Sequence, residues 1–164
     1  MVVPLWVTTM DRPMLEYAVC VWSPCYNYAV DRVESVQRKF TKRLRGCKNM
    51  DYPVRLNHLK LQSLERRRLI ADLVLTYKII FGLVDLNMSD FFSFQSSNGY
   101  STTTRGNPYK LFVNHCRINA RKHFFSERII KVWNSLPPSI VSFKSLSSFR
   151  SSLINVNFGI YTKY

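Results

Sequence analysis

The sequence predicts a mainly α-helical protein: a small bundle of three or four helices, then a smaller C-terminal helical unit with at most one or two short strands. Three observations carry this. Apolar residues recur at three- and four-residue spacing over 27–45, 64–81 and 122–134. Residues that cap and stop helices stand at the ends of these stretches. Only 110–118 alternates with the two-residue period of a strand. The chain has 164 residues, of which 46% are hydrophobic, enough for a packed core.

The first helix is predicted from Asn27, a capping residue, to about Arg45, with Gly46 as its stop. Ala29, Val30, Val33, Val36, Phe40 and Leu44 share one side and form the expected core face. Arg38, Lys42 and Arg45 follow one another on the opposite side, with Lys39 nearby, as an expected basic ridge. A short helix over 52–60 comes next. The longest one, 64–81, has Ser63 as cap and Gly82 as stop, and is apolar nearly all round, so it is expected to be central and buried. Arg66, Arg67 and Arg68 in its first turn oppose the helix dipole, which calls for carboxylate or phosphate partners. Residues 83–108 are rich in Ser, Thr and Asn and read as a linker anchored by Phe91, Phe92 and Phe94. A strand over 110–118, a helix over 122–134 burying Phe125, Ile129, Val132 and Trp133, and a last helix from Ser145 to about Leu153 complete the prediction. Tyr17 and Trp22, set among apolar neighbours, are expected in the core, with base stacking as the alternative.

Charge separates the possible partners. The chain carries 24 Lys and Arg against 10 Asp and Glu, net +14, which points to a polyanion. Residues 32–68 hold 12 of these cations and 3 of the acids, and residues 105–131 hold 7 and 1, so two segments account for all of the excess. No apolar stretch has the ~20 uninterrupted residues of a membrane-spanning helix, and the apolar N-terminus lacks the basic region of a secretory signal. Cys20, Cys25, Cys47 and Cys116 follow no disulfide pattern and read as reduced thiols, so a nuclear or cytoplasmic, not secreted, protein is expected. The aspartates are isolated, with no pair to hold two Mg²⁺ ions, and neither a phosphate-binding glycine loop nor a nucleophile elbow occurs. His115, Cys116 and His123 lack the ligand spacing of a zinc site. No catalytic residue, metal or cofactor is expected.

Several ordered stretches resemble a known family. Arg12-Pro13-Met14-Leu15-Glu16-Tyr17-Ala18, Val21-Trp22-Ser23-Pro24 and Val33 to Leu44 are similar to the region after the polymerase palm in non-LTR retrotransposon reverse transcriptases of the jockey and CR1 type. So are Leu61 to Leu69, Tyr77-Lys78-Ile79, Thr104-Arg105-Gly106, Phe124 to Arg128 and Val132-Trp133-Asn134-Ser135-Leu136-Pro137, over about residues 12–153. Arg45 and Pro53 depart from the family's usual residues. The resemblance implies an atypical segment at 1–12, a thumb-like bundle at 13–82, the linker at 83–108, a C-terminal strand and helix unit at 109–153 and a tail at 154–164. The family's Ala-Asp-Asp motif is absent, so no polymerase activity is expected of this chain.

The resemblance also implies a grip on nucleic-acid backbone, RNA or an RNA/DNA hybrid. The basic residues are the expected contacts: Arg38, Lys39, Lys42, Arg43 and Arg45 first, then Arg66, Arg67 and Arg68, then Arg117, Arg121 and Lys122. Two alternatives stay open: a protein-interaction module docking through an exposed apolar face, and the reading frame of a decayed element with no cellular role.

Overall fold

Helical periodicity and capping give seven α-helices among the described residues of this computed structural model, which are 16–95, 107 and 109–163. They are α1 (Val19–Trp22), α2 (Asn27–Lys42), α3 (Tyr52–His58), α4 (Leu64–Ile80), α5 (Asn119–Lys122), α6 (Phe125–Asn134) and α7 (Leu146–Leu153), with a 3-10 turn at Met88–Asp90. The protein is mainly helical, as its sequence predicts. The expected segment 1–12, residues 13–15 of the expected bundle and, of the expected linker 83–108, residues 96–106 and 108, with Thr104-Arg105-Gly106, lie outside the described residues.

The chain groups into two compact units, Met1–Arg68 with Thr162–Tyr164, and Leu69–Tyr161. The boundary falls inside α4. Residues 69–82, expected with the first bundle, and the described part of the expected linker, 83–95, group with the second unit.

In the first unit α2 turns an unexpected side inward. Tyr26, in extended conformation, is its N-cap, Asn27 is its first residue, and it ends at Lys42, with Gly46 (φ 80°) turning the chain four residues later. Its buried residues are Val30, Glu34, Gln37 and Thr41, whereas Val36 is exposed. At 100° per residue this face lies roughly 70° around the axis from the expected one. The reason is polar. Tyr52 on α3 donates a short hydrogen bond to Glu34 Oε1, which also accepts from Leu64 N (3.1 Å), while Glu34 Oε2 accepts from Glu65 N (3.2 Å). A buried carboxylate from α2 thus caps the N-terminus of α4, where unpaired N–H groups and the helix dipole favour an anion. Ser63 Oγ accepts from Arg66 N (3.2 Å) and completes the cap.

Gln37 Nε2 donates to Tyr52 Oη (3.1 Å) and to Gln62 O (3.0 Å). Arg55, buried on α3, donates to Thr41 Oγ1 (3.0 Å), Met50 O (3.1 Å) and Arg38 O (3.4 Å). This cation thus lies against the last turns of α2, at the end where a positive charge is favoured. The α3 helix closes with Lys60 in the left-handed region (φ 53°), and Leu61 N returns to Leu56 O at 2.9 Å. Burial among carboxylate and amide neighbours pushes the Tyr52 hydroxyl above its ordinary value, first through loss of water and then through its bond to Glu34.

The second unit has a conventional apolar core. Leu73, Tyr77 and Ile79 of α4, Ile129, Ile130 and Trp133 of α6, Phe149 and Leu153 of α7, and Leu136 and Phe158 are buried. Tyr77 stacks on Phe149 at 4.6 Å between ring centres, and Trp133 lies 5.7 Å from Phe149. The α4 helix ends at Gly82 (φ 62°), where Leu83 N bonds to Lys78 O at 2.8 Å. A left-handed residue is required there, which is why glycine serves as the stop. Ser145 Oγ accepts from Ser148 N (3.2 Å) and caps α7 as expected.

The strand expected at 110–118 does not form. Its described contact is a single antiparallel bridge, Phe94 with Leu111. Lys110 O and Phe112 N make the bonds of that bridge, and on the opposite edge Leu111 bonds to a side chain: Asn134 Oδ1 accepts from Leu111 N (2.8 Å) and Asn134 Nδ2 donates to Leu111 O (2.8 Å). Trp133 Nε1 donates to Tyr109 O (2.7 Å), and Asn107 Nδ2 donates to Trp133 O (3.2 Å). One amide therefore replaces a neighbouring strand.

The buried acid of this unit, Asp72, is held by Arg128, with Nε to Oδ2 at 3.0 Å and Nη2 to Oδ1 at 3.1 Å. Of the expected tail, Val156 and Phe158 are buried in the second unit, while Lys163 pairs with Asp31 (2.8 Å) in the first.

Candidate nucleic-acid interface

Burying Val30, Glu34, Gln37 and Thr41 fixes what α2 shows to water. Tyr28, Arg32, Lys39 and Arg43 are exposed and recur at four, seven and four residues, so they fall within roughly 60° of one another on the side opposite the buried stripe. Lys42 stands beside them, exposed. The outward face is basic because its neighbour in sequence, Glu34, is turned inward.

Three other acids of this unit, Glu16, Asp31 and Glu65, are occupied in a similar way, whereas Asp51 is exposed and makes no side-chain cap on α3. Glu16 accepts a two-pronged pair from Arg67, with Nη2 to Oε2 at 2.7 Å, and this bond is what raises the Arg67 guanidinium above its usual value. Asp31 is paired with Lys163, and Glu65 Oε2 accepts from Lys163 N at 2.7 Å. Among the described residues no ion pair reaches Arg32, Lys39, Lys42, Arg43 or Arg45.

The expected contact residues thus separate. Lys39, Lys42, Arg43 and Arg45 are exposed together at the C-terminal end of α2. Arg38 is not on their ridge: half-buried, it lays its guanidinium over the Tyr52 ring at 5.1 Å. The three arginines of α4 also divide. Arg67 meets a carboxylate, one of the two partners its position called for, and Arg68 is buried. Arg66 lines an open cleft of about 350 Å³ with Pro53, Gln62 and Ser63.

In the second unit Arg117, Arg121 and Lys122 are exposed. Arg117 and Arg121 line a cleft of about 410 Å³ with His115, Cys116 and Glu127. Arg121 is drawn to Glu127 (3.4 Å) and lies over the Phe124 ring at 5.7 Å.

Arg32 was not among the sequence candidates. Its signal was its spacing from Lys39 and Arg43, but that becomes informative once Glu34, Gln37 and Thr41 are known to be inside. Tyr17 and Trp22, expected in the core, are 80% and 41% exposed.

Among the described residues no group of three His, Cys, Asp or Glu side chains converges as a metal site would require, and no helix is long and apolar enough to cross a membrane. All four cysteines are thiols. Comparison with protein-family models, curated proteins and solved structures gave no match.

Proposed function

We propose that the protein is a non-catalytic nucleic-acid-binding module, related to the thumb and post-thumb region of jockey and CR1 type non-LTR retrotransposon reverse transcriptases. It grips the sugar-phosphate backbone of RNA or an RNA/DNA hybrid through the outward face of α2. The observation that carries this reading is the sorting of charge in the first unit, where Glu16, Asp31, Glu34 and Glu65 are engaged by partners within the unit while Arg32, Lys39, Lys42 and Arg43 face water.

Such a face has two uses. Lys39 and Lys42 complement the C-terminal dipole of α2, worth about 0.3–1 kcal/mol each. That account does not extend to Arg32, three turns earlier, or to Arg45, beyond the helix. A row of cations facing a polyanion accounts for all of them, through counterion release on phosphate contact.

The test replaces Arg32, Lys39, Lys42 and Arg43 by Gln, which keeps helix propensity. Binding to an RNA/DNA hybrid should weaken alike for every sequence, and the slope of log affinity against log salt should fall by up to about 3.6, near 0.9 for each of four lost phosphate contacts on a duplex. An unchanged slope in a variant that keeps its helical circular dichroism refutes the assignment. A folded parent protein that ignores RNA, DNA and hybrid alike favours protein interaction instead.

A further inference from the structure

The basic face of α2 begins at a cluster of exposed aromatic side chains. Tyr26 and Tyr28 are 60% and 72% exposed, and their rings stack at 5.8 Å with planes 17° apart. Tyr17, Val21 and Trp22 are exposed beside them in sequence, and Trp22 Nε1 is anchored to Tyr17 O at 2.6 Å. Large rings held out in water carry a cost that a soluble surface normally avoids, and a concentration of them marks a contact surface.

Their position selects the partner. Tyr28 is the first member of the outward stripe that continues through Arg32, Lys39 and Arg43, about 22 Å long at 1.5 Å per residue. A flat stacked pair at one end and a row of cations leading away from it match an unpaired strand, whose bases are free to stack while its phosphates follow the charges. A duplex keeps its bases inside and offers nothing to the tyrosines. An apolar protein partner would use the rings but leave the cations without a counterpart.

We infer that the first unit binds single-stranded RNA or DNA, with bases stacked on Tyr26 and Tyr28 and the adjoining phosphates along Arg32, Lys39 and Arg43. This rests on the backbone-binding reading above and adds to it a preference for unpaired bases. At about 3.4 Å per stacked nucleotide the stripe spans about six nucleotides.

The experiment uses the full chain and three fluorescent probes of equal length: a twelve-nucleotide oligoadenylate, an abasic twelve-mer with the same phosphates, and a twelve-base-pair duplex. Affinities are measured by anisotropy over a salt series, with tyrosine fluorescence as a second signal. The oligoadenylate is expected to bind at least tenfold tighter than the abasic strand and to quench tyrosine emission. Tyr26→Leu with Tyr28→Leu should remove about tenfold from oligoadenylate affinity and leave the abasic strand unchanged; both side chains are exposed, and circular dichroism confirms the fold.

Equal binding of the oligoadenylate and abasic strands overturns the stacking inference and leaves backbone binding standing, as does tighter binding of the duplex. An oligoadenylate affinity untouched by the double substitution also overturns it. No binding to any probe overturns both readings.

Discussion

Replacing Glu34 tests the least expected feature of the fold, a buried carboxylate that joins three elements. Its oxygens accept from Tyr52 Oη, Leu64 N and Glu65 N, and the side chain has no exposed surface. Glu34→Ala leaves two buried donors and one part-buried donor without their acceptor. Each such donor costs about 1–3 kcal/mol, and the desolvation of the carboxylate that is no longer buried offsets part of the total, so the net loss should be about 4 kcal/mol. Glu34→Gln keeps one acceptor oxygen but sets an NH₂ group against a donor, and should lose about 2 kcal/mol.

The assay is urea unfolding followed by far-ultraviolet circular dichroism, with amide hydrogen exchange at Leu64 and Glu65 as the local readout. Exchange at those two amides should accelerate in both variants. A double-mutant cycle with Tyr52→Phe should give a coupling of about 1 kcal/mol or more. A loss below about 0.5 kcal/mol for Glu34→Ala, or unchanged protection of Leu64 and Glu65, refutes the claim that this carboxylate caps α4.

Three further predictions follow from the same contacts. Tyr52 holds its proton above the ordinary value of 10.0 when folded, so the unfolded chain releases that proton first as pH rises. Stability should therefore fall above about pH 10, by at most about 1.4 kcal/mol per pH unit from this group, and urea midpoints from pH 9 to 11.5 should fall less steeply in Tyr52→Phe. In the second unit, Asp72→Ala leaves Arg128 half-buried without its carboxylate and should cost about 3 kcal/mol in urea unfolding, while the Asp72→Ala, Arg128→Ala double variant should cost less than the sum of the single ones. Asn134→Ala removes both bonds to the Leu111 backbone and should cost about 2 kcal/mol; Asn134→Asp, which sets a carboxylate oxygen against Leu111 O, should cost more.

The residues that carry the reverse-transcriptase resemblance are largely those that build this fold. Glu34 and Gln37, from the stretch Val33 to Leu44, form the polar core of the first unit. Arg128, Trp133, Asn134 and Leu136 hold Asp72, the 107–111 segment and the second core. Sequence words of that kind report packing, and the ligand contacts have to be sought on the faces they leave open. Lys39 and Lys42 were legible as exposed cations because they stand on the side of α2 away from most of its apolar residues. Arg38 was misplaced, because nothing local distinguishes a lysine or arginine in water from one lying over a tyrosine. Tyr17 and Trp22 failed for the converse reason: an apolar neighbourhood in sequence does not supply a partner in space.

By itself the sequence determined where helices run, since caps, glycine stops and a period near 3.6 act within a few residues; Ser63, Gly82 and Ser145 all stand where they were read. It also determined the net charge of +14 and the two segments that carry it. Tertiary structure decided which way α2 turns about its axis, and with it which cations meet solvent. The physical reason is that a polar side chain goes inside when another element brings donors or acceptors to it, as α3 and α4 do for Glu34 and Gln37. Apolar counting along one helix places such residues outside, because the groups that satisfy them lie fifteen or more positions away in the chain.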